Sequence, residues 1–368
     1  RRLLFVANTD YSAPASVKAA IRLPDRFAAA LDDANGKFTA LPAKKIAGAL
    51  SLDLSLAPAE SMMIALAPKA FPAPKAAPRG RTRKMPLAGK WTVTRCDENS
   101  LTIDHVRLPH PARTWTDPQY VLFAGEEIIK KGGNAHVRYE FDLDVLPKGP
   151  VHLALERPER WSVTLNNSPV PSRPRGCFVD TEFKRLDVTS FVQLGRNVVE
   201  LRGPVTDDFE LESIYIVGRF GVCQCEDGFH ITAPVAEVKA ADLSGEGFSF
   251  FAGTLDIEKT VTLDRRPLLA VFSLNTLNAG AAELFVNGRR QGDLLYPPYD
   301  LAVSGLKKGD NRITLRLFGT LRNLLGPHHF EGPEIEWTSP GSFVNRKLWT
   351  DAYRFMPFGI KDATLIVR

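Results

Sequence analysis

Residues 283–329 read ELFVNGRRQGDLLYPPYDLAVSGLKKGDNRITLRLFGTLRNLLGPHH. Two strand patterns stand out in them, Leu284-Phe285-Val286 and Ile313-Thr314-Leu315-Arg316-Leu317, each bordered by a turn. Asn287-Gly288 suits a type I′ hairpin turn, which needs positive φ at both central residues. Lys308-Gly309-Asp310-Asn311 is a second turn cluster, directly before an alternating run with a β-branched start. Strand, tight turn, loop and turn-led strand together describe part of an antiparallel sandwich.

The same order of features occurs once earlier. Residues 162–202 read SVTLNNSPVPSRPRGCFVDTEFKRLDVTSFVQLGRNVVELR. Asn166-Asn167 takes the place of Asn287-Gly288, and Leu194-Gly195-Arg196-Asn197 that of Lys308-Gly309-Asp310-Asn311. The later turns lie 114 residues apart (309 − 195) and the earlier ones 121 (287 − 166), so only the intervening loop differs in length. Solenoid and propeller repeats have periods of roughly 20–50 residues. This longer period implies two copies of a whole domain.

These residues carry a family resemblance. The pattern L-x-V-N-G-x-x-x-G, P-Y-D, L-K-x-G-x-N-x-I-x-L over residues 284–315 resembles the galactose-binding-like jelly rolls attached to large glycoside hydrolases. The sugar-binding domains of family 2 enzymes and of α-L-rhamnosidase-type enzymes are the particular likeness. Residues 209–220, FELESIYIVGRF, are similar to the closing strand of such a domain, and residues 353–360, YRFMPFGI, to its ending. The resemblance covers roughly residues 88–368. It implies tandem galactose-binding-like jelly rolls over 88–222 and 223–368; strand patterns and composition put before them a small β-sandwich over 1–66 and a Pro/Ala/Lys linker over 67–87, so the chain reads as all-β. The resemblance also implies an extracytoplasmic setting and an upstream catalytic domain of the same polypeptide as partner.

Composition bounds the classes. A chain of 368 residues with 44% hydrophobic and 24% charged residues has room for several ordinary cores. No apolar run approaches the length of a membrane-spanning helix. The net charge of +5 is local: Lys69, Lys75, Arg79, Arg81, Arg83 and Lys84 fall in the linker without an acid, leaving −1 for the rest. A nucleic-acid partner would need a basic face on a folded domain, so none is expected. Cys96, Cys177, Cys223 and Cys225 form no disulfide framework, and Cys223-Gln224-Cys225 lacks zinc-knuckle spacing.

Strand patterns cover 3–7, 16–23, 27–32, 37–42, 49–56 and 61–66, with Asn35-Gly36 a further type I′ signal. The chain opens in mid-strand, the expected look of a piece cut from a longer protein. Residues 91–95, 101–106, 136–143, 151–155, 162–165, 197–201 and 212–219 read as strands of the first repeat, with a short helical segment near 126–131. Residues 253–263, 268–274, 283–286, 313–317 and 363–367 read as strands of the second.

Glycoside hydrolysis needs two carboxyl groups about 5–9.5 Å apart, one of them protonated. The acids at 207–212 and 331–336 read instead as solvated sheet faces, Glu210 with Glu212 and Glu334 with Glu336. The Asn-Glu dipeptide of family 2 barrels is missing, and so are the P-loop, the dinucleotide motif and the nucleophile elbow. No catalytic residue, metal ligand or cofactor is therefore expected. His328 and His329 are adjacent, and side chains of neighbours in an extended segment point to opposite sides.

Carbohydrate binding needs an aromatic platform and a polar rim. Trp115, Tyr120, Trp161, Tyr296, Tyr299 and Trp337 are the candidate platforms, with Arg175, Asn323, His328 and Glu331 as polar partners. The expected function is that of a non-catalytic C-terminal region of a glycoside hydrolase that braces the catalytic domain and offers a carbohydrate site. The rival is a stand-alone carbohydrate-binding or adhesion protein.

Overall fold

The computed structural model describes residues 2–10, 12–24, 26–32, 36–46, 48–71, 82–333 and 339–368. The chain is all-β; among the described residues its strands pair antiparallel, apart from a short parallel pairing of Asn134–Leu143 with Gly228–Thr232 and a parallel bridge from Val222 to Phe248.

The N-terminal strands build two small sheets. Arg2–Ala7, Ser61–Ala67, Phe27–Asp32 and Lys37–Leu41 form one, in that order; Ala15–Ile21, Ala49–Leu56 and Ala43–Ile46 form the other. Leu50, Leu52, Leu54, Ile64 and Leu66 close a core between them. Leu52, Leu54 and Leu56 alternate with exposed Asp53 and Ser55, as a half-buried strand requires. The hairpin expected at Asn35-Gly36 joins two strands paired Asp32 to Lys37, although Asn35 itself lies outside the described residues.

The first large sandwich stacks two sheets. Asn99–Ile103, Ile214–Gly218, Val151–Glu156, Asp180–Asp187 and Cys177–Phe178 make one; Ser168–Pro169, Ser162–Leu165, Gly195–Pro204, Asn134–Leu143, Gly228–Thr232 and Gly221–Cys225 make the other. The second sandwich has Glu237–Val238, Trp91–Cys96, Thr254–Leu263, Gly309–Phe318, Ala281–Val286 and Arg289–Leu294 facing Tyr299–Ala302, Ala270–Asn278, Gly359–Val367 and Arg83–Pro86. Sheet pairing thus crosses the expected boundaries. Arg83–Pro86, at the end of the expected linker, and Trp91–Cys96 belong to the second sandwich, while Gly221–Thr232 strands complete the first. Linker residues 72–81 lie outside the described set.

The sequence repeat has a physical basis in two asparagine knots. Asn311 is fully buried. Its Nδ2 donates to the carbonyls of Lys307 (2.8 Å) and Gly309 (2.9 Å), and its Oδ1 accepts from Asn287 Nδ2 (3.0 Å) and Lys307 N (2.9 Å). Asn197, also fully buried, repeats every bond: Nδ2 to the Gln193 and Gly195 carbonyls, Oδ1 from Asn166 Nδ2 and Gln193 N. The turns conform too, with Asn166 and Asn167 at φ 52° and 66° and Asn287 and Gly288 at 51° and 80°. Gly195 and Gly309 sit at φ 75° and 86°, where a Cβ would be strained.

The helix Val121–Lys131 begins earlier than the expected 126–131 segment. Val121, Ala124 and Ile128 form its buried stripe, and Gly132 ends it by donating to the Ile128 carbonyl at 2.9 Å. Glu210 and Glu212 correct the strand reading of 212–219. The strand there is Ile214–Gly218, and both acids precede it in irregular backbone.

Truncating a knot leaves several buried backbone groups unpaired, each costing about 1–3 kcal/mol. Asn311→Ala and Asn197→Ala are expected to lose about 3 kcal/mol or more each in urea denaturation. Asn275→Ala, at an exposed strand position, should stay within about 0.5 kcal/mol of the parent chain.

Candidate functional site

The strand Asn134–Leu143 sorts its side chains by parity. Ala135, Val137, Tyr139, Phe141 and Leu143 enter the core, leaving His136, Arg138, Glu140 and Asp142 in a row on the opposite face. Arg196 on the neighbouring strand stands directly across from Asp142, and Arg107 bridges to Arg138 through the backbone. The charges interlock. Glu140 accepts from Arg196 Nη1 at 3.0 Å and Arg107 Nε at 3.3 Å, and Arg138 Nε stands 2.8 Å away as an ion pair without hydrogen-bond alignment. Arg196 Nε also reaches both Asp142 oxygens, at 2.8 and 3.0 Å.

Arg138, Glu140 and Asp142 of this row line a cleft of about 310 Å³ together with Asp104, His105, Asp227, Phe229 and Tyr353. The volume is at the lower end of ordinary small-ligand sites. Tyr353 comes from the C-terminal segment, so residues far apart in sequence meet across the junction of the two sandwiches.

The inner end of the cleft is a buried carboxylate. Asp104 is 2% exposed. Its Oδ1 takes hydrogen bonds from Tyr353 Oη at 2.5 Å and His105 Nδ1 at 2.8 Å. Its Oδ2 faces His329 Nε2 at 3.3 Å and His328 Nδ1 at 3.5 Å. Burial alone would raise the Asp104 carboxyl; the histidine nitrogens outweigh it and hold the group well below its ordinary range. Burial, and then the Asp104 charge, push the Tyr353 hydroxyl up, so it remains a donor. Tyr120, Trp349 and Tyr353 pack around His329 with ring centroids 4.6–5.3 Å away.

At the outer end, His230 Nδ1 meets Asp144 Oδ1 at 2.9 Å, and its Nε2 lies 3.0 Å from Asp227 Oδ1. Among the described residues two groups could hold a metal ion: Asp104, His105 and His329, and Asp142, Asp227 and His230, each with ligand atoms within 4.8 Å of one another.

The expected site residues scatter. Trp115 flanks the charged row, its ring 4.8 Å from that of His136 and 5.4 Å from the Arg138 guanidinium carbon. Tyr120 and His328, 7% and 4% exposed, are packed beneath the cleft and are no surface platform or rim. Asn323 is likewise buried, its amide holding both backbone groups of Met356. Glu331 is exposed and pairs with Arg354. Trp161 sits on Phe209 beside a different hollow, with Arg157, Arg160 and Asp208. Arg175 is exposed and bound through its backbone to Arg185; Tyr296 is exposed, and Tyr299 packs on the second core. Trp337, Glu334 and Glu336 lie outside the described residues.

His328 and His329 both approach Asp104 Oδ2, because the loop is irregular and the alternation of an extended strand does not apply, but only His329 belongs to a group with ligand atoms within 4.8 Å of one another. The row His136, Arg138, Glu140, Asp142 was legible as charge at every second residue, a pattern that also marks an ordinary solvated face. Asp104 carried no local signal. Glu210 and Glu212 do converge with Glu156, and partial burial, then those two charges, pushes Glu212 up to about 7. Their hollow of about 20 Å³ has room for about one water and none for a sugar ring.

No protein-family model matches the chain, and no curated protein sequence matches it. Among solved structures, it is similar to a rhamnosidase from Novosphingobium sp. PP1Y, 15% identical with a TM-score of 0.44 over 99% of this chain and 22% of that one. An α-L-rhamnosidase of Streptomyces avermitilis complexed with L-rhamnose is 14% identical, TM-score 0.27, over 64% of this chain and 24% of that one. A glycosyl hydrolase family 2 member from Bacteroides cellulosilyticus is 12% identical, TM-score 0.24, over 61% and 31%. The chain therefore spans less than a quarter of the length of either rhamnosidase chain.

His230 supplies a test of the cleft's electrostatics. Burial would lower it, but the Asp144 hydrogen bond and the charges of Asp144, Asp227 and Asp142 raise it above its ordinary 6.5. A raised histidine stabilises the fold fully below its unfolded pKa, and that contribution fades as pH rises through the folded value. An NMR titration should place His230 above 6.5, and Asp144→Asn should bring it down.

Proposed function

We propose that this chain is a non-catalytic β-region of a glycoside hydrolase, bracing the catalytic domain of the same polypeptide and taking carbohydrate in the Arg138–Glu140–Asp142 cleft. The observation that carries the reading is the row itself. Guanidinium forks and carboxylates with free lone pairs, fixed by mutual ion pairs, are the groups that grip vicinal hydroxyls. They stand beside an indole, Trp115, whose apolar face suits the C–H side of a pyranose. The motif resemblance over residues 88–368 supports the same class. The bracing role is supported by the first small sheet, where Leu3 and Phe5 remain 63% and 62% exposed on one strand.

Calorimetry of the chain against galactose, rhamnose and their oligomers, with hydrolysis followed in the same samples, tests this reading. Binding without turnover is expected, weakened about tenfold by Arg138→Ala or Trp115→Ala, which corresponds to about 1.4 kcal/mol. Binding indifferent to both substitutions would move the site elsewhere, and no binding at all would remove the carbohydrate role. Turnover by the chain alone would overturn the non-catalytic reading.

A further inference from the structure

We infer that Asp142, Asp227 and His230 bind a transition-metal dication at the mouth of the cleft, with zinc as the representative ion. The fold brings the three together from separate elements. Asp142 and His230 stand side by side where Asn134–Leu143 meets Gly228–Thr232 in parallel. Asp227 occupies the turn between Gly221–Cys225 and Gly228–Thr232, three residues before His230. Their ligand atoms all lie within 4.8 Å of one another.

The deciding group is His230 Nε2. The other ring nitrogen, Nδ1, is engaged by Asp144 Oδ1 at 2.9 Å. Nε2 is buried without a hydrogen-bond partner, although Asp227 Oδ1 lies only 3.0 Å away. That oxygen is close but out of line with a ring N–H. A proton on Nε2 would therefore be a buried donor lacking an acceptor, and a bare lone pair there a buried acceptor lacking a donor. A metal ion on the lone pair satisfies the nitrogen in a way that neither protonation state does. Metal-bound histidines characteristically donate their second ring N–H to a carboxylate or carbonyl, and Asp144 fills that place here.

Spacing and charge agree. Ligand atoms about 2.1 Å from a six-coordinate ion stand about 3.0 Å from their neighbours, the separation of His230 Nε2 from Asp227 Oδ1. One imidazole with carboxylates suits zinc and its transition-metal neighbours, whereas calcium and magnesium prefer an all-oxygen shell. Arg196 Nε reaches both Asp142 oxygens, yet each carboxylate oxygen keeps a second lone pair for a metal. Three carboxylates, of Asp142, Asp144 and Asp227, gather round the one imidazole, and Arg196 is shared with Glu140. A dication offsets the remainder. The side chains of Asp227 and Asp144 are 62% and 49% exposed, which gives the ion an open path and water for its remaining positions. Gly228–Thr232 joins Asn134–Leu143 through two residue pairs, Asp142 with His230 and Leu143 with Ile231. The metal would pin the 221–232 hairpin at that short junction, beside the cleft that Asp142 and Asp227 line.

The test is calorimetric titration of the chelator-stripped, tag-free chain with Zn²⁺, alongside ¹⁵N NMR of the histidine rings and hydrogen exchange. About one Zn²⁺ per chain is expected, with the His230 Nε2 resonance displaced and exchange in the 221–232 hairpin slowed. Asp227→Asn, at an exposed turn, should remove that displacement, and Asp144→Asn should weaken binding about tenfold. Zn²⁺ uptake that leaves His230 Nε2 unmoved would overturn the inference, as would no uptake at about 1 mM Zn²⁺. So would binding that Asp227→Asn leaves unchanged. The nearby thiols are checked with a Cys223→Ser, Cys225→Ser double variant; binding lost there would assign the ion to sulfur and equally overturn the claim. Because the wild-type measurements stand alone, a variant that fails to fold does not shelter it. None of these readouts involves sugar.

Discussion

A carboxylate removed from water sets the terms for the middle of this molecule. Asp104 is almost fully buried, and an uncompensated buried charge costs several kcal/mol after every relaxation the protein can offer. Everything that makes the charge tolerable comes from elsewhere: a neighbouring histidine, a tyrosine 249 residues away and a histidine pair from the second sandwich. The rings of Tyr120, Phe250, Trp349 and Phe355 then seal the polar cluster in apolar surroundings. The C-terminal segment is drawn onto the first core as a result, with Trp349, Tyr353 and Phe355 packed against it. That placement gives the cleft its inner wall.

The two asparagine knots work at a different scale. Each joins a hairpin turn to the start of the strand that crosses behind it, using one amide as double donor and double acceptor. No other uncharged side chain of that length offers both functions at once. The knots explain why Asn and Gly recur at fixed positions while the loops between them differ in length. The repeat is a repeat of hydrogen-bonding geometry, and the intervening chain is free to vary around it.

The cleft illustrates how a site can be grafted on such a frame without disturbing it. The strand Asn134–Leu143 satisfies the core with its odd-numbered residues, so its even-numbered ones are free to carry charge. Arg107, Arg138 and Arg196 are held in place by Glu140 and Asp142, which pre-orders long side chains that would otherwise lose entropy on meeting a ligand. The fold by itself settles nothing about the ligand.

The sequence by itself determined the class of structure. Alternation in 49–56 and 134–143, the Asn-Gly and Asn-Asn turns, and the doubled Gly-x-Asn signal are local properties, and a strand's faces follow from its period of two. Even the charged row was visible there, although its meaning was not. The tertiary structure alone decided which strands belong to which sandwich, moving 83–86 and 91–96 into the second, and which polar groups lost their water. Asp104 and His329 are 225 residues apart. No periodicity connects them, because their contact arises from the packing of two sandwiches and not from any pattern within either. His328 and His329 show the same limit: a rule for extended backbone assigned them opposite directions, and an irregular loop turned both toward one buried oxygen.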